Sequence, residues 1–356
     1  MPHLFVDISS HGFGHLAQAA PVLNRLATLL PGLRISLRSG LPHANLLERI
    51  QPPFEHIAVA SDFGYVMIDA LTIDRPATAA AYRAAHDDFA GRVTAESVWL
   101  QRLGVDAVFA DVSYWPLAAA ALAGLPAAAM CSLNWADLFV HYFGQEDWAP
   151  PIHAEMLAAY RAATFLRTTP GMPMPHLDNL LAIGPIAQLG RARRSELRAK
   201  VGASKTARLA LIALGGIPTR LPIESWPVLA ETYWLVPTAW QAQRADMIAI
   251  EALNWPFVDL LASVDVVVTK PGYGAFAEAV CNGTAVIYQR RDDWPEQDCL
   301  IDWLQTHARC AEITATDLAI GNLAGALADC LHNAVPPAPT FDGIESAARH
   351  LATILS

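Results

Sequence analysis

The chain reads as an α/β protein of two Rossmann-like, doubly wound domains, each built on a parallel sheet. Short apolar runs rich in β-branched residues alternate with segments whose apolar residues recur at helical spacing, the pattern of right-handed βαβ crossovers. The alternation starts twice, at His3 and again at Leu209, on either side of a stretch rich in proline and glycine at 170–190. In each half, a buried strand also runs into a glycine turn that opens a helix. At 356 residues the chain exceeds the usual size of a single core, which favours two domains.

Taken in order, 3–8 (HLFVDI) is a first buried strand and 9–15 (SSHGFGH) its turn. Leu16, Ala19, Ala20, Leu23, Leu26, Ala27 and Leu30 then mark a helix that Pro31-Gly32 stops. Strands are expected at 34–38, 54–59, 106–110, 127–131 and 164–168. Helices are expected at 44–50, 76–103 (long, with a possible break), 115–123 and 154–163. Residues 61–75 hold turn formers without a clean period and read as a long loop. After a short basic helix at 191–200, strands follow at 209–214, 232–236, 247–250, 265–269 and 285–288. Helices are expected at 256–262, 275–280, 299–306, 321–331 and 344–355. The expected division is an N-terminal domain at 1–187, a C-terminal domain at 188–340 and a closing helix at 341–356 that packs back on the first domain.

Composition narrows the function classes. Hydrophobic residues make up 53% and charged residues 16%, enough to fill large cores and unlike a disordered chain. A formal charge of −10 argues against a nucleic-acid or anionic-membrane partner. The five cysteines are scattered without a C-x-x-C pair, which reads as reduced thiols in a cytoplasmic protein. The most apolar segment, 116–130, is broken by Gly124 and Pro126 and is too short to span a bilayer. The basic helix at 191–200 reads as a solvated linker helix.

Residues 265–297 (DVVVTKPGYGAFAEAVCNGTAVIYQRRDDWPEQ) carry the chemistry most visibly. A buried strand, the turn Gly272-Tyr273-Gly274 and a helix N-terminus offer backbone N–H groups and the positive end of a helix dipole to an anion. Asp293, Glu296 and Gln297, past the next strand, are expected to face the same crevice. In the first half, HGFGH supplies His11, Gly12, Gly14 and His15, and Asp111 ends the 106–110 strand, where ligands bind in such sheets. The aromatic stretch 134–148, with Tyr114 and Trp115, is a candidate ligand platform, because rings stack on sugars and apolar groups. Neither HDD (86–88) nor RRDD (290–293) has D-x-D spacing, and no His/Cys/carboxylate cluster has ligand spacing, so no metal is expected.

On HGFGH, the 265–297 stretch and its trailing Glu-Gln, the chain resembles the GT-B class of nucleotide-sugar glycosyltransferases. It is similar to the lipid-intermediate N-acetylglucosaminyltransferase of peptidoglycan synthesis, to the UDP-sugar-using superfamily, and, nearest in wording, to the glycosyltransferase-like N-terminal half of plant L-arabinokinase. The resemblance implies the GT-B fold, with two domains facing an interdomain cleft, donor on the C-terminal domain and acceptor on the N-terminal one. It implies that Glu278 takes the ribose hydroxyls and that Gly272, Tyr273 and Gly274 cradle the diphosphate. Gly215, Gly216 and Arg220 would line the first donor loop. Asp293, Glu296 and Gln297 would contact the donor sugar. It aligns His15 with the base that deprotonates the acceptor and Asp111 with the residue that orients it, while His11 competes for the base. His11, Gly12, Gly14, Trp115 and Asn134 would form the acceptor loop.

The expected function is thus an inverting, metal-independent transfer of a sugar from a UDP- or dTDP-sugar to an acceptor hydroxyl, with no cofactor beyond that substrate. A nucleotide-sugar epimerase or hydrolase on the same fold and a non-catalytic nucleotide-sugar-binding protein are the alternatives.

Overall fold

A computed structural model describes residues 1–69, 71–215 and 219–356. The described residues divide into two compact units. Unit 1 comprises Met1–Ile68, Ile73–Ile186 and Phe341–Ser356, and unit 2 comprises Asp69–Thr72 and Ala187–Thr340.

The strands of unit 1 are β1 (His3–Asp7), β2 (Arg34–Arg38), β3 (Glu55–Ile57), β4 (Ala107–Ala110), β5 (Ala127–Cys131), β6 (Thr164–Thr168) and β7 (Leu180–Ile183). They form one parallel sheet in the order β3-β2-β1-β4-β5-β6-β7. Its helices are α1 (Phe13–Leu29), α2 (His43–Arg49), α3 (Arg75–His86), α4 (Phe89–Leu103), α5 (Trp115–Ala123), α6 (Trp135–Phe143) and α7 (Ala149–Arg161).

Unit 2 repeats the plan with α8 (Arg194–Lys200), β8 (Arg208–Ala213), β9 (Thr232–Val236), β10 (Met247–Ala249), α9 (Phe257–Ser263), β11 (Val266–Thr269), α10 (Tyr273–Cys281), β12 (Ala285–Gln289), α11 (Gln297–His307), β13 (Cys310–Ile313), α12 (Ala315–Ile320) and α13 (Ala324–His332). Its parallel sheet runs β10-β9-β8-β11-β12-β13. The last helix, α14 (Gly343–Ile354), belongs to unit 1, where it packs on α1 and Glu345 accepts from Arg25 Nε at 2.6 Å.

Burial on both faces explains the central strands. Every residue of β1, β4 and β11 is buried, so each carries an unbroken apolar run without alternation, with polar residues at the ends of β1 and β11 alone. Helix ends follow local rules: α4 and α5 stop at Gly104 and Gly124, both in the left-handed conformation that glycine adopts without strain. The long helix expected at 76–103 is two helices. Asp87 ends α3, and the Asp88 side chain caps α4 by accepting from Gly91 N. The aromatic segment expected as a platform folds as α6, with most of its large residues inside. Two strands (β7, β13) and two helices (α6, α12) lie where no element is expected from the sequence.

One polar contact ties the sheet of unit 1 to its helices. Arg38, at the end of β2, is 9% exposed and donates from Nε to Asp7 at 2.6 Å and from a terminal nitrogen to Glu96 of α4 at 2.6 Å. Its guanidinium also lies over the Phe5 and Trp99 rings, 5.1 and 5.7 Å from their centroids. Removing it strands two carboxylates beside an apolar layer. Arg38→Ala is therefore expected to destabilise the protein by about 3–5 kcal/mol in urea-unfolding measurements; a loss below about 1 kcal/mol would show the trio to be dispensable.

Candidate functional site

In unit 1 the strand order reverses between β1 and β4, and the carboxyl ends of strands at such a reversal are where open parallel sheets bind ligands. Polar residues converge there. Asp7 ends β1, Asp111 follows β4, and the β1–α1 turn carries Ser9, His11 and His15. Gly12, in extended backbone, is the N-cap residue of α1 and supplies no side-chain cap. His15 lies in the first turn of the helix. Its Nδ1 is 3.0 Å from Asp111 Oδ2, with Asp111 fully buried.

The charge state of this pair follows from its burial. For His15, burial opposes the imidazolium, but the Asp111 carboxylate, with Cys131 contributing, overrides it and holds the pKa well above its ordinary value. Burial also lifts Asp111, with His15 offsetting only part of that rise. Both shifts favour a proton retained on the pair.

His11 and His15 flank one indole. The Trp135 ring centroid is 5.5 Å from that of His11 and 5.8 Å from that of His15, and the two imidazoles are 6.4 Å apart. Gly64 makes this cluster possible. Its φ is +57°, and a Cβ there would lie 2.7 Å from His11 Cδ2.

Beneath the cluster is a residue the sequence does not single out. Asp62 is buried, Ser9 Oγ donates to its Oδ1 at 2.8 Å, and Trp135 Nε1 donates to its Oδ2 at 2.8 Å. Burial, reinforced by the nearby Asp7 charge, pushes its carboxyl up to about 6. Its only local signal is its place in the Ser-Asp-x-Gly turn at 61–64. Neighbouring Ser61 donates to Asp7 at 2.6 Å and contacts Ser113 Oγ at 3.0 Å, stitching the loop to β1 and to the segment after β4.

Two candidate acceptor residues have structural partners. Asn134 is fully buried and caps α6, accepting from Asp137 N at 2.8 Å and donating to the Asp137 carboxylate at 2.7 Å. Trp115 is buried against Phe89, with Arg92 stacked 4.5 Å from its ring centroid.

Unit 2 has its own reversal, between β8 and β11. Gly215 follows β8 and Lys270 follows β11. Gly272 is the N-cap residue of α10 in extended backbone, and a Cβ there would meet only the Lys270 carbonyl, at 3.9 Å. Tyr273, Gly274 and Glu278 lie along the first two turns of α10 and are buried, Glu278 to 1% exposure. The loop after β12 closes on the same strand ends, since Arg291 and Glu296 are the charged neighbours of Lys270. Within that loop Gln297 accepts from Arg291 N and donates to Arg291 O, both at 3.0 Å, while Trp294 Nε1 donates to Glu296 at 3.0 Å. Gln297 thus shapes the loop with both ends of its amide, and Asp293 is half-buried beside it. Arg220 pairs with Glu224 and donates to the Trp240 carbonyl at 3.1 Å. Gly216 lies outside the described residues. Among the described residues, no group of three or more His, Cys, Asp or Glu is placed to hold a metal ion, and no helix is long and apolar enough to cross a membrane.

No family model matches the chain. It is 27% identical over 351 residues to the L-arabinokinase of Arabidopsis thaliana, a match covering 94% of this chain but only 32% of that relative's length. Among solved structures, the glycotransferase of kitacinnamycin superimposes with a TM-score of 0.61 at 16% identity, covering 99% of this chain and 95% of the other. The calicheamicin glycosyltransferase gives 0.61 at 14% identity, covering 100% and 94%. A glycosyltransferase solved in complex with dTDP gives 0.53 at 15% identity, covering 99% and 95%. Two parallel-sheet units matched over their whole length establish the GT-B fold for this chain.

The Asp62 shift has a definite sign in stability. The native carboxyl keeps its proton up to about pH 6, whereas the unfolded chain loses it near pH 3.8. Asp62 therefore withdraws stability as pH rises through that window. Between pH 4.5 and 7.5, Asp62→Asn is expected to gain on the order of 2 kcal/mol relative to wild type in thermal unfolding. Parallel curves for the two proteins would refute the shifted carboxyl.

Proposed function

We propose that the chain transfers a glycosyl group from a nucleotide-diphosphate sugar to an acceptor hydroxyl, with inversion and without a metal ion. The contact between His15 and Asp111 carries this reading, because it sets an orientable proton acceptor at the strand reversal of unit 1. Unit 2 supplies the complementary features: the open Gly272 turn, the start of α10, and Glu278 one turn further in. Solved structures of the same fold support a UDP- or dTDP-sugar as donor, since one holds dTDP and another, from Phytolacca americana, holds UDP-2-fluoro-glucose with pterostilbene.

On this reading Glu278 accepts the ribose hydroxyls and the N-terminus of α10 faces the diphosphate, placing fixed dipoles where a metal ion would otherwise neutralise charge. The acceptor oxygen attacks the anomeric carbon from the side opposite the diphosphate. The new C–O bond forms as the bond to the phosphate oxygen breaks, and the nucleoside diphosphate leaves. The acceptor proton passes to His15, and Asp111 stabilises the resulting imidazolium. His11, 6.4 Å from His15 and against the same Trp135 ring, lies within the same cluster and lines the acceptor side.

A second reading, nucleotide-sugar binding without transfer, draws support from the proton retained on the His15–Asp111 pair, since a protonated imidazole accepts nothing. Kinetics separate the two. A base must be deprotonated, so the rising limb of kcat/KM against pH is expected above 6.5. Asp111→Asn removes the main cause that raises His15 and should move that limb toward acid, with a lower plateau.

A donor panel of UDP, dTDP, GDP and CMP should reveal one nucleotide that stabilises the protein by about 2.7 kcal/mol at a hundredfold excess over Kd. Glu278→Ala should lose that stabilisation, and His15→Ala should keep it while losing at least about tenfold in kcat. A His15→Ala protein with undiminished turnover would remove His15 as the base, and a panel without any shift would remove the donor site.

A further inference from the structure

We propose that Lys270 is the cation that meets the diphosphate oxygens of the donor, across the strand reversal of unit 2 from Gly215. The inference rests on the donor-site reading above and adds a residue that neither the sequence motif nor the backbone cradle identifies.

The placement comes first. Lys270 follows β11, Gly215 follows β8, and the two strands are neighbours at the reversal of the sheet. Gly215 has φ +93°, a conformation that side-chain-bearing residues rarely adopt. A Cβ there would lie 3.5 Å from Lys270 Cε and 3.9 Å from Nζ. The missing side chain leaves the lysine head facing the β8 loop, and α10 begins three residues beyond Lys270.

The charge around Lys270 is the second observation. The Lys270 side chain makes no hydrogen bond or ion pair among the described residues, while Arg38, Arg198 and Arg244 each hold a carboxylate. Its charged neighbours are Arg291, a second cation that is itself buried and stacked 3.9 Å from the Trp294 ring centroid, and Glu296. A second cation beside a part-buried ammonium disfavours its charged form, and Glu296 works against that effect. In the ligand-free protein, burial first and Arg291 second draw the Lys270 ammonium down to about 7, with Glu296 opposing weakly. No other charged group among the described residues contributes to this shift.

An arriving diphosphate reverses that balance. Its oxygens give the ammonium a partner of opposite charge, so binding draws a proton from solvent onto Nζ. Donor affinity must then fall as pH rises above about 7, the opposite sense to the limb set by His15.

The experiment is calorimetric titration of UDP into the full chain at pH 7.5 and 8.5, in phosphate-free buffers of different ionisation enthalpy. At these values UDP is fully ionised, so any proton taken up goes to the protein. Wild type is expected to take up roughly 0.8 proton per UDP at pH 7.5 and to lose affinity by up to about tenfold over the next pH unit. Lys270→Gln should bind UDP at least about tenfold more weakly at pH 7.5 and take up no proton. Lys270→Arg, always charged, should bind without uptake and without the pH slope, and its binding also reports that the site is folded. UDP binding without uptake in wild type, or with uptake that survives in Lys270→Gln, overturns the assignment of Lys270 and leaves the donor site standing. Absence of binding by UDP, dTDP and GDP to wild type overturns both.

Discussion

Three carboxylates buried at the carboxyl edge of one parallel sheet set the terms for everything around them. Asp7, Asp62 and Asp111 lie close enough that each of the other two raises the Asp62 pKa. Among the described residues two cationic partners serve them, Arg38 on Asp7 and His15 on Asp111. The third carboxylate is met by neutral donors, Ser9 and Trp135, and answers by holding its proton to about pH 6. Burying a charge this deeply is costly unless it is paired, so the local architecture is largely a set of compensations. Arg38 reaches from β2 to α4, the 61–64 loop folds inward to bond Asp7, and Trp135 turns its indole N–H toward Asp62.

The same strand order gives unit 2 the opposite electrostatic problem. Where unit 1 gathers carboxylates at its reversal, unit 2 gathers Lys270 and Arg291 together with Glu296. Neither difference comes from the fold, since both sheets are parallel and reverse after their first strand. It comes from which residue follows the strand on the far side of the reversal: Asp111 after β4, Lys270 after β11. On the proposed reading, one unit thereby accepts a proton and the other meets an anion.

Much of the architecture is legible because the two features that specify it are local. A strand buried on both faces must be apolar throughout, as in 266–269, and an α-helix beside a sheet must repeat its apolar residues every three to four positions, as in α1. The turn at 271–274 and the residues His15 and Asp111 are visible for the same reason, since a glycine turn after a strand and an acid at a strand end are signals within a few residues. What escapes is whatever depends on distant partners. β7 and β13 have weak strand sequences and exist through pairing with β6 and β12. α6 hides because its buried aromatics look like a surface platform until Tyr82 and Trp148 are seen against Phe139. Asn134 looks like a ligand contact from its sequence neighbours and is a helix cap in space. Asp62 gains its meaning from Ser9 and Trp135, 53 and 73 residues away. Lys270 stands in plain view inside the best motif, yet a lysine before Pro-Gly is ordinary until Gly215 is found opposite it.

The two charge patterns bear on one another through protons. On the proposed reading, the free protein favours the reverse of the proton arrangement that transfer requires: Asp111 raises His15 where a neutral base is needed, and burial lowers Lys270 to about 7 where a cation is needed. Raising pH cures the first and worsens the second, so neither extreme yields a competent site. The donor resolves half of the conflict itself, because a diphosphate lifts Lys270 and makes its charge independent of pH over the working range. Once the donor is bound, pH can rise far enough to free His15 without losing the cation. The dependence on Lys270 then falls on donor capture and that on His15 on turnover, so one protein carries opposite pH dependences in binding and in chemistry. That separation follows from which residue ends which strand, and it asks nothing of the fold beyond two parallel sheets that each reverse once.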